Sequence, residues 1–449
     1  MPHAVKPDAV TPAARLSAVI ELYDEIIGTS KPSDQIMQAY FRGRKFIGSK
    51  DRKYIAETLY TILRHYTRLN WWAEQTDMDK DGRSLVLLWL ALGEGKDAND
   101  IEALFDGSNY GPAELKRDEK DILDHLAQQT IDTRDMPQQV RAECPDWAYE
   151  GLQRAFGEHF DDELLALQVE APLDLRVNTL KAEREAVFQR LRDDHMDVVK
   201  TKLSPLGLRV EGRPAFSMHP LYQKGQIEVQ DEGSQLLALL CGVTTGEWVV
   251  DFCAGAGGKT MALAAQMQNK GRIWACDIEA SRLENARKRL CRADVHCVET
   301  KLLKDEKDDW VKKHANKADC VFIDAPCSGM GTWRRNPMSR WQDLGPRLDA
   351  LLQTQASILA SASRMVKPGG RLVYATCSML PQENEDQVNA FLAAHPHFKA
   401  AKLGKFWAKT DLPQPLGLDL NGHMLQLTPY QHETDGFFVA AFTKDASVV

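Results

Sequence analysis

Apolar positions recur at helical spacing through the first third of the chain. Leu16, Val19, Ile20, Tyr23, Ile26 and Ile27 form one stripe, and Ile55, Leu59, Ile62 and Leu63 form another. No strand-like alternation interrupts them, so residues 1–150 read as an all-helical domain. Pro145 and Asp146 mark its end, and Asp146 to Leu167 reads as a helical connector. The pattern changes near residue 171. Leu173-Asp174-Leu175-Arg176-Val177-Asn178 alternates as a half-buried strand does. Arg184 to Leu191 returns to an amphipathic helix, and short strands follow near Leu208 to Val210 and Gln226 to Val229. Together they predict a small α+β module.

From Gly246 onward, strands and helices alternate. Trp248 to Cys253, Arg272 to Ile278, Val295 to Val298, Cys320 to Asp324 and Arg371 to Thr376 read as strands, with a late one at Phe437 to Phe442. The first helix opens after Gly257 and Gly258. The second spans about Ser281 to Leu290, with Ser281 as N-cap and Glu284 completing a capping box. Such alternation predicts an α/β fold with a doubly wound, mostly parallel, Rossmann-like sheet. Three domains result: 1–150, all-helical; 151–240, connector and α+β module; 241–449, the parallel sheet.

Composition adds little to this picture. A chain of 449 residues needs more than one core. Met1 to Ser17 has no apolar signal-peptide core, and the longest apolar run, Leu85 to Leu92, is too short to cross a bilayer. A cytoplasmic protein without a membrane partner is expected, as a monomer. Nine cysteines contain no Cys-x-x-Cys pair, so no zinc site of usual spacing and no metal is expected. Most should be free thiols packed in cores.

Charge matters locally. The formal net charge is −8, unusual for a nucleic-acid binder. Yet Arg42 to Arg68 holds eight basic residues against two acids. Phosphate binding needs a local positive face rather than a positive total. A solvated helix face is the competing explanation for the same run.

The stretch Asp251-Phe252-Cys253-Ala254-Gly255-Ala256-Gly257-Gly258-Lys259-Thr260 joins the first strand of the sheet to its first helix. A phosphate-binding P-loop would need glycine where Cys253 stands. A dinucleotide fingerprint would need glycine where Thr260 stands. What remains is a turn for a nucleoside without a diphosphate. Asp277 ends the second strand, placed to accept ribose hydroxyls. A glycine turn with a strand-end acid suits S-adenosylmethionine. Its candidate contacts are Cys253, Ala254, Gly255, Ala256, Gly257, Gly258, Lys259, Asp277, Arg282 and Asp324. A tight turn with a helix-capping Asp competes with this reading.

Two cysteines differ from the other seven. Asp324-Ala325-Pro326-Cys327-Ser328-Gly329 follows the fourth strand, and Ala375-Thr376-Cys377-Ser378 ends the fifth. On neighbouring parallel strands about 4.8 Å apart, both thiols look into the pocket outside the carboxyl ends. Thiols suit methylation of cytosine, whose carbon 5 is a poor nucleophile. A thiolate added to carbon 6 makes carbon 5 attack an electrophilic methyl group. Asp324 is placed to hydrogen-bond the nitrogen edge of the ring.

With these residues, the chain resembles the Sun-type RNA cytosine-5 methyltransferases over about residues 171–445. The resemblance implies that Cys377, in a Thr-Cys-Ser motif, is the nucleophile. It implies that Cys327, in a Pro-Cys-Ser motif, assists release of the methylated base. The family's cofactor loop corresponds to Cys253 to Lys259, its ribose acid to Asp277 and its motif acid to Asp324. Arg176-Val177-Asn178-Thr179-Leu180-Lys181, Gln230-Asp231-Glu232-Gly233-Ser234 and Thr434-Asp435-Gly436-Phe437-Phe438 also look like family signatures. The helices around Arg44 and Lys45 resemble the NusB-like RNA-binding domain of the ribosomal RNA members. Candidate RNA contacts are Arg44, Lys45, Arg176, Asn178, Arg334 and Arg335, with Trp333 as a stacking residue. The chain departs from the family twice. Gly255-Ala256-Gly257-Gly258 replaces the usual Ala-Pro-Gly-Gly, and the usual acid after the third strand is missing unless Glu299 substitutes. The implied activity is methylation of carbon 5 of a cytosine in RNA, with small-subunit ribosomal RNA as the expected partner. Transfer RNA as substrate and an idle RNA-binding assembly factor are the rivals, and a DNA methyltransferase is disfavoured by Cys377.

Overall fold

The apolar stripes of the first third become inward helix faces. In the computed structural model, which describes residues 10–447 apart from 213, 343, 344, 411 and 416, helix Pro12–Ile27 buries Leu16, Val19, Leu22, Tyr23 and Ile26. Proline at its first position needs no amide partner, and the Thr11 hydroxyl accepts the Ala14 N–H at 3.1 Å. Helix Ser49–Arg64 buries Ile55, Leu59, Ile62 and Leu63. Residues 1–9 of the N-terminal stretch lie outside the described residues. The apolar run Leu85 to Leu92 forms helix Gly82–Leu88 and a π-helical turn, Trp89–Gly93, in the centre of this unit's core. Among the described residues no helix is long and apolar enough to cross a membrane.

The chain divides into two compact units. The first comprises residues up to Glu150 together with Arg335–Gly345; the second comprises Gly151–Arg334 and Pro346–Val449. Within the first, the buried Glu143 carboxylate closes the start of helix Tyr66–Gln75. It accepts the Thr67 N–H at 2.8 Å and the Arg68 N–H at 3.1 Å, and it pairs with Arg68 Nε at 3.2 Å. The connector is a broken rod: Asp146–Phe156, a 3-10 turn at Gly157–His159, then Phe160–Ala166.

The second unit contains two sheets. In the small module, β1 (Leu173–Val177), β2 (Val198–Lys200), β3 (Gly207–Val210) and β4 (Ile227–Val229) pair antiparallel in the order β2-β3-β1-β4. The main sheet contains β5 (Trp248–Asp251), β6 (Arg272–Asp277), β7 (Val298–Leu302), β8 (Ala318–Asp324), β9 (Val366–Thr376), β10 (Phe398–Ala400), β11 (Met424–Leu427) and β12 (Phe437–Lys444). The order is β10-β12-β9-β8-β5-β6-β7, with β11 also on β12. Strands β5 to β9 pair parallel, whereas β12 runs antiparallel to β9. Both faces of this sheet are covered. Val249, Ile273, Phe322, Val373 and Val439 point into one core, and Val250, Val321, Ile323, Leu372 and Phe438 into the other.

Three local expectations change. The third parallel strand begins at Val298 rather than ending there, because pairing runs from Ile273–Val298 to Asp277–Leu302. Val295 instead closes the preceding helix, donating its N–H to Leu290 O at 3.0 Å. The predicted capping box is absent. The second helix is Ala280–Arg292 with Glu279 as N-cap and no side-chain cap, so Ser281 lies inside the first turn. Asp277 turns the chain earlier, its Oδ1 accepting the Glu279 N–H at 2.8 Å. The short strands β2, β10 and β11 carry too little alternation to be read in advance.

Candidate active site

Strand order reverses between β5 and β8, and an open parallel sheet binds ligands at the carboxyl ends there. The glycine turn leaves β5 at this point. Gly255 and Gly257 both take positive φ, +54° and +78°. A side chain at Gly257 would also press on Ala286 Cβ at 3.1 Å. Asp277 holds the turn, with Oδ2 accepting the Gly255 N–H at 2.8 Å. A cavity of about 220 Å³ opens beside it, lined by Asp251, Ala254, Gly255, Ala256, Gly258, Lys259 and Asp324, together with Gln230, Ser234 and Arg289.

The chemistry of this cavity is acidic. Asp251 Oδ2 accepts the Thr260 hydroxyl at 2.6 Å, while buried Oδ1 has no hydrogen-bond partner. Burial pushes the Asp251 carboxyl up to about 7. An unpartnered buried acceptor beside a glycine turn fits a nucleoside that carries positive charge, as the ammonium and sulfonium of S-adenosylmethionine do. Lys259 Nζ meets Asp324 Oδ2 at 2.6 Å. Burial pulls the Lys259 ammonium down, but Asp324's charge and hydrogen bond, with the charges of Cys377 and Asp251, hold it above the ordinary lysine value.

The two thiols meet at this edge. Asp324 pairs with Ala375 across β8 and β9, and each chain then turns toward the same place. The sulfurs of Cys327 and Cys377 lie 3.4 Å apart. The Cys327 thiol is pushed well above its ordinary value by its hydrogen bond to Cys377, by burial, and by the charges of Cys377 and Glu383. Either sulfur can donate the hydrogen across this contact. Gly331 closes the loop over this edge. Its N–H donates to Cys377 O at 2.9 Å, and its carbonyl accepts the Gly436 N–H at 2.8 Å.

Of the candidate cofactor residues, Ala254, Gly255, Ala256, Gly258, Lys259 and Asp324 line the cavity. Asp277, Gly257 and Cys253 are outside that lining; Asp277 holds the turn beside it, its two oxygens accepting the Gly255 and Glu279 N–H groups. Arg282 is exposed on helix Ala280–Arg292, outside that lining. Asp251, Gln230, Ser234 and Arg289 were not singled out as cofactor residues in the sequence. The Gln230 to Ser234 motif was the available clue for two of them.

Four of the candidate RNA residues are corrected. Arg176, Asn178, Trp333 and Arg334 are 1%, 3%, 0% and 4% exposed. Arg176 Nε donates to Gln230 Oε1 at 2.6 Å, and Asn178 Nδ2 donates to Gly225 O and Ala293 O at 2.9 and 2.8 Å. Arg334 pairs with Asp435 at 3.1 Å. These side chains hold the fold together and face no solvent where RNA would lie. Arg335 is half-buried, Lys45 is exposed, and Arg44 is paired with Glu21 at 3.2 Å. Within the basic stretch, Arg64 and Arg68 turn inward, whereas Arg42, Lys45, Lys50 and Lys53 are exposed. Glu299 sits three residues before the end of β7, exposed and 3.4 Å from Arg272, away from the ligand edge. It does not replace the missing acid. Among the remaining cysteines, Cys144, Cys241, Cys276 and Cys320 are buried as expected, but Cys291 is exposed.

Known proteins resemble this chain in sequence and fold. Residues 238–443 match the family described as 16S rRNA methyltransferase RsmB/F, and residues 144–217 match the RsmF/B-like ferredoxin-like domain. A probable ribosomal RNA small subunit methyltransferase B of Synechocystis is 30% identical, over 88% of this chain and 91% of its own length. The crystal structure of PH0851 superposes with a TM-score of 0.76 at 26% identity, covering 97% of this chain and 99% of that one. NSun6 of Pyrococcus horikoshii, solved with the S-adenosylmethionine analogue SFG, shares the fold at a TM-score of 0.58 and 20% identity, over 68% of this chain and 99% of that one. The chain belongs to the 16S rRNA methyltransferase RsmB/F family of S-adenosylmethionine-dependent RNA methyltransferases.

Proposed function

We propose that the protein methylates carbon 5 of a cytosine in small-subunit ribosomal RNA through a covalent adduct at carbon 6. The observation that carries this reading is the 3.4 Å approach of Cys327 and Cys377 sulfurs beside the cofactor cavity. A methyltransferase that needed no covalent step would have no use for paired thiols there.

S-adenosylmethionine, when bound, supplies the electrophilic methyl group. Asp251, the glycine turn and Asp277 hold it. Cys377 acts as thiolate and bonds carbon 6 of the ring. Asp324, steadied by Lys259, accepts a hydrogen bond from the nitrogen edge, where ring nitrogen 3 takes a proton from water as the electron pair moves into the ring. After methylation, water takes up the carbon 5 proton and nitrogen 3 returns its own to water; the pair left at carbon 5 forms the carbon 5–carbon 6 double bond as the bond from Cys377 to carbon 6 breaks and Cys377 leaves as thiolate. Cys327, whose sulfur lies 3.4 Å from that of Cys377, hydrogen-bonds the departing Cys377 sulfur and so eases release. The exposed Arg42, Lys45, Lys50 and Lys53 touch RNA phosphates. The compact helical unit, residues up to Glu150 with Arg335–Gly345, supports a separate RNA-holding role for the helical part.

Two variants test this. On an unmodified transcript of small-subunit ribosomal RNA, Cys377→Ala is expected to abolish methyl transfer with cofactor affinity nearly intact. Cys327→Ala is expected to accumulate a protein–RNA adduct that survives a denaturing gel. Methylation by Cys377→Ala would refute the nucleophile assignment. Bisulfite sequencing of total RNA with and without the protein identifies the base, and a change confined to transfer RNA would refute the substrate.

A further inference from the structure

Glu383 and Asn384 follow the Thr-Cys-Ser motif and lie outside the cavity lining, yet both are fully buried. Burying a carboxylate is costly unless bonded groups compensate. Every bond that compensates the Glu383 carboxylate leads to the loop of Cys327. Oε1 accepts the Ser328 N–H at 2.8 Å and Gln355 Nε2 at 2.9 Å, and Oε2 accepts the Ser328 hydroxyl at 2.5 Å. The same Gln355 amide donates to Pro326 O at 3.0 Å. Both neighbours of Cys327 are thus held from one side.

Asn384 does the same for Cys377. Its Oδ1 accepts the Thr376 hydroxyl at 2.6 Å, and its Nδ2 donates to Ser378 O at 3.0 Å. Both neighbours of Cys377 are held by one amide. The dipeptide is itself tied to β9, because the Tyr374 hydroxyl donates to Glu383 O at 2.7 Å.

We infer that Glu383-Asn384 is a two-armed positioning clamp, in which Glu383 places Cys327 for release, Asn384 places Cys377 for attack, and the peptide bond between them fixes the spacing of the sulfurs. This rests on the covalent reading of the two thiols given above. The Glu383 charge adds a second effect, since it helps keep the Cys327 thiol protonated. A packing role alone would have been met by apolar side chains of similar volume.

The two arms should fail differently. The full-length protein is given S-adenosylmethionine and an unmodified transcript of small-subunit ribosomal RNA, and adduct and methyl groups are counted over time. Glu383→Ala is expected to form the first adduct at nearly the wild-type rate, then turn over about 10- to 100-fold more slowly, with adduct visible on a denaturing gel. Asn384→Ala is expected to slow adduct formation by a similar factor, with none accumulating. Glu383→Gln should restore most of the turnover, because its amide keeps bonds to the Ser328 N–H and Gln355. Lacking the charge, it should also move the alkaline limb of the pH–rate profile to lower pH. If Glu383→Ala does not fold, that pH shift in Glu383→Gln carries the test, and an unmoved limb overturns the clamp. Equal slowing of attack and release by both alanine variants also overturns it. Cys327→Ala and Cys377→Ala are run alongside. If they accumulate and abolish adduct respectively while the clamp variants share one phenotype, only the clamp falls. If Cys327→Ala accumulates none, the covalent reading falls with it.

Discussion

Gly331→Ala isolates the loop that closes over the two thiols. A Cβ at Gly331 would lie 2.0 Å from Gly436 O and 2.6 Å from its carbonyl carbon. Both are backbone atoms, so no side chain can swing away. The two strands of chain must part by about 1 Å to reach a tolerable contact. That movement breaks the 2.8 Å bond from Gly436 to Gly331 and strains the 2.9 Å bond from Gly331 to Cys377 O. Each lost bond costs about 1 kcal/mol, and the overpacking adds about 1–3 kcal/mol. The sum, about 2–4 kcal/mol, should lower the melting temperature of the methyltransferase unit by about 4–16 °C. Cys377 moves with its carbonyl, and a shift of about 1 Å slows attack by about 10²-fold. Gly331 does not line the cofactor cavity, so affinity for S-adenosylmethionine should change by less than about threefold. Thermal unfolding, single-turnover adduct formation and calorimetric titration of the cofactor measure the three quantities. A variant with wild-type melting and rate would refute the reasoning. So would one whose cofactor affinity falls as far as its rate.

Cofactor affinity should rise with pH up to about 7 by up to about tenfold per unit and then level off. Burial holds a proton on Asp251 below that pH, and a cationic ligand must displace it. Asp251→Asn should flatten the profile measured by titration at pH 6, 7 and 8; an unchanged slope refutes the assignment. Glu143→Ala strips the buried Arg68 of the buried one of its carboxylate partners, leaving Asp132 at 2.8 Å, and opens the amides of Thr67 and Arg68. It should destabilise the helical unit by about 3–5 kcal/mol in urea unfolding, and a loss below about 1 kcal/mol would contradict this. Lys45→Ala should lower the salt dependence of RNA binding by about one unit of log–log slope, whereas an unchanged slope removes Lys45 from the interface.

Long-range periodicity made the parallel sheet and the helical third legible. A strand buried on both faces, such as β12 with Phe437 to Phe442, is nearly continuous in apolar residues, and a glycine turn between strand and helix leaves a clear signature. The place of Cys327 and Cys377 followed from strand order alone. Charged side chains were harder. Arg334 looks like a loop cation until Asp435, 101 positions away, is brought against it. Arg176 and Asn178 likewise have partners far along the chain. Glu383 and Asn384 carry no periodic signal at all. A buried carboxylate is spelled the same as an exposed one, and only the fold shows which groups surround it.

The assignment of Arg335–Gly345 to the helical unit has a consequence for synthesis. Met338 belongs to that unit's core, Arg340 donates to Glu143 O at 3.1 Å, and the Trp341 ring lies 5.5 Å from that of Tyr66. The ribosome delivers these residues roughly 200 positions after Glu150. At about 5–20 residues per second, the helices wait about 10–40 s with part of their core missing. A gene fragment ending near residue 150 would leave that gap permanent. Any transplant of the helical unit onto another catalytic domain must carry this later segment with it.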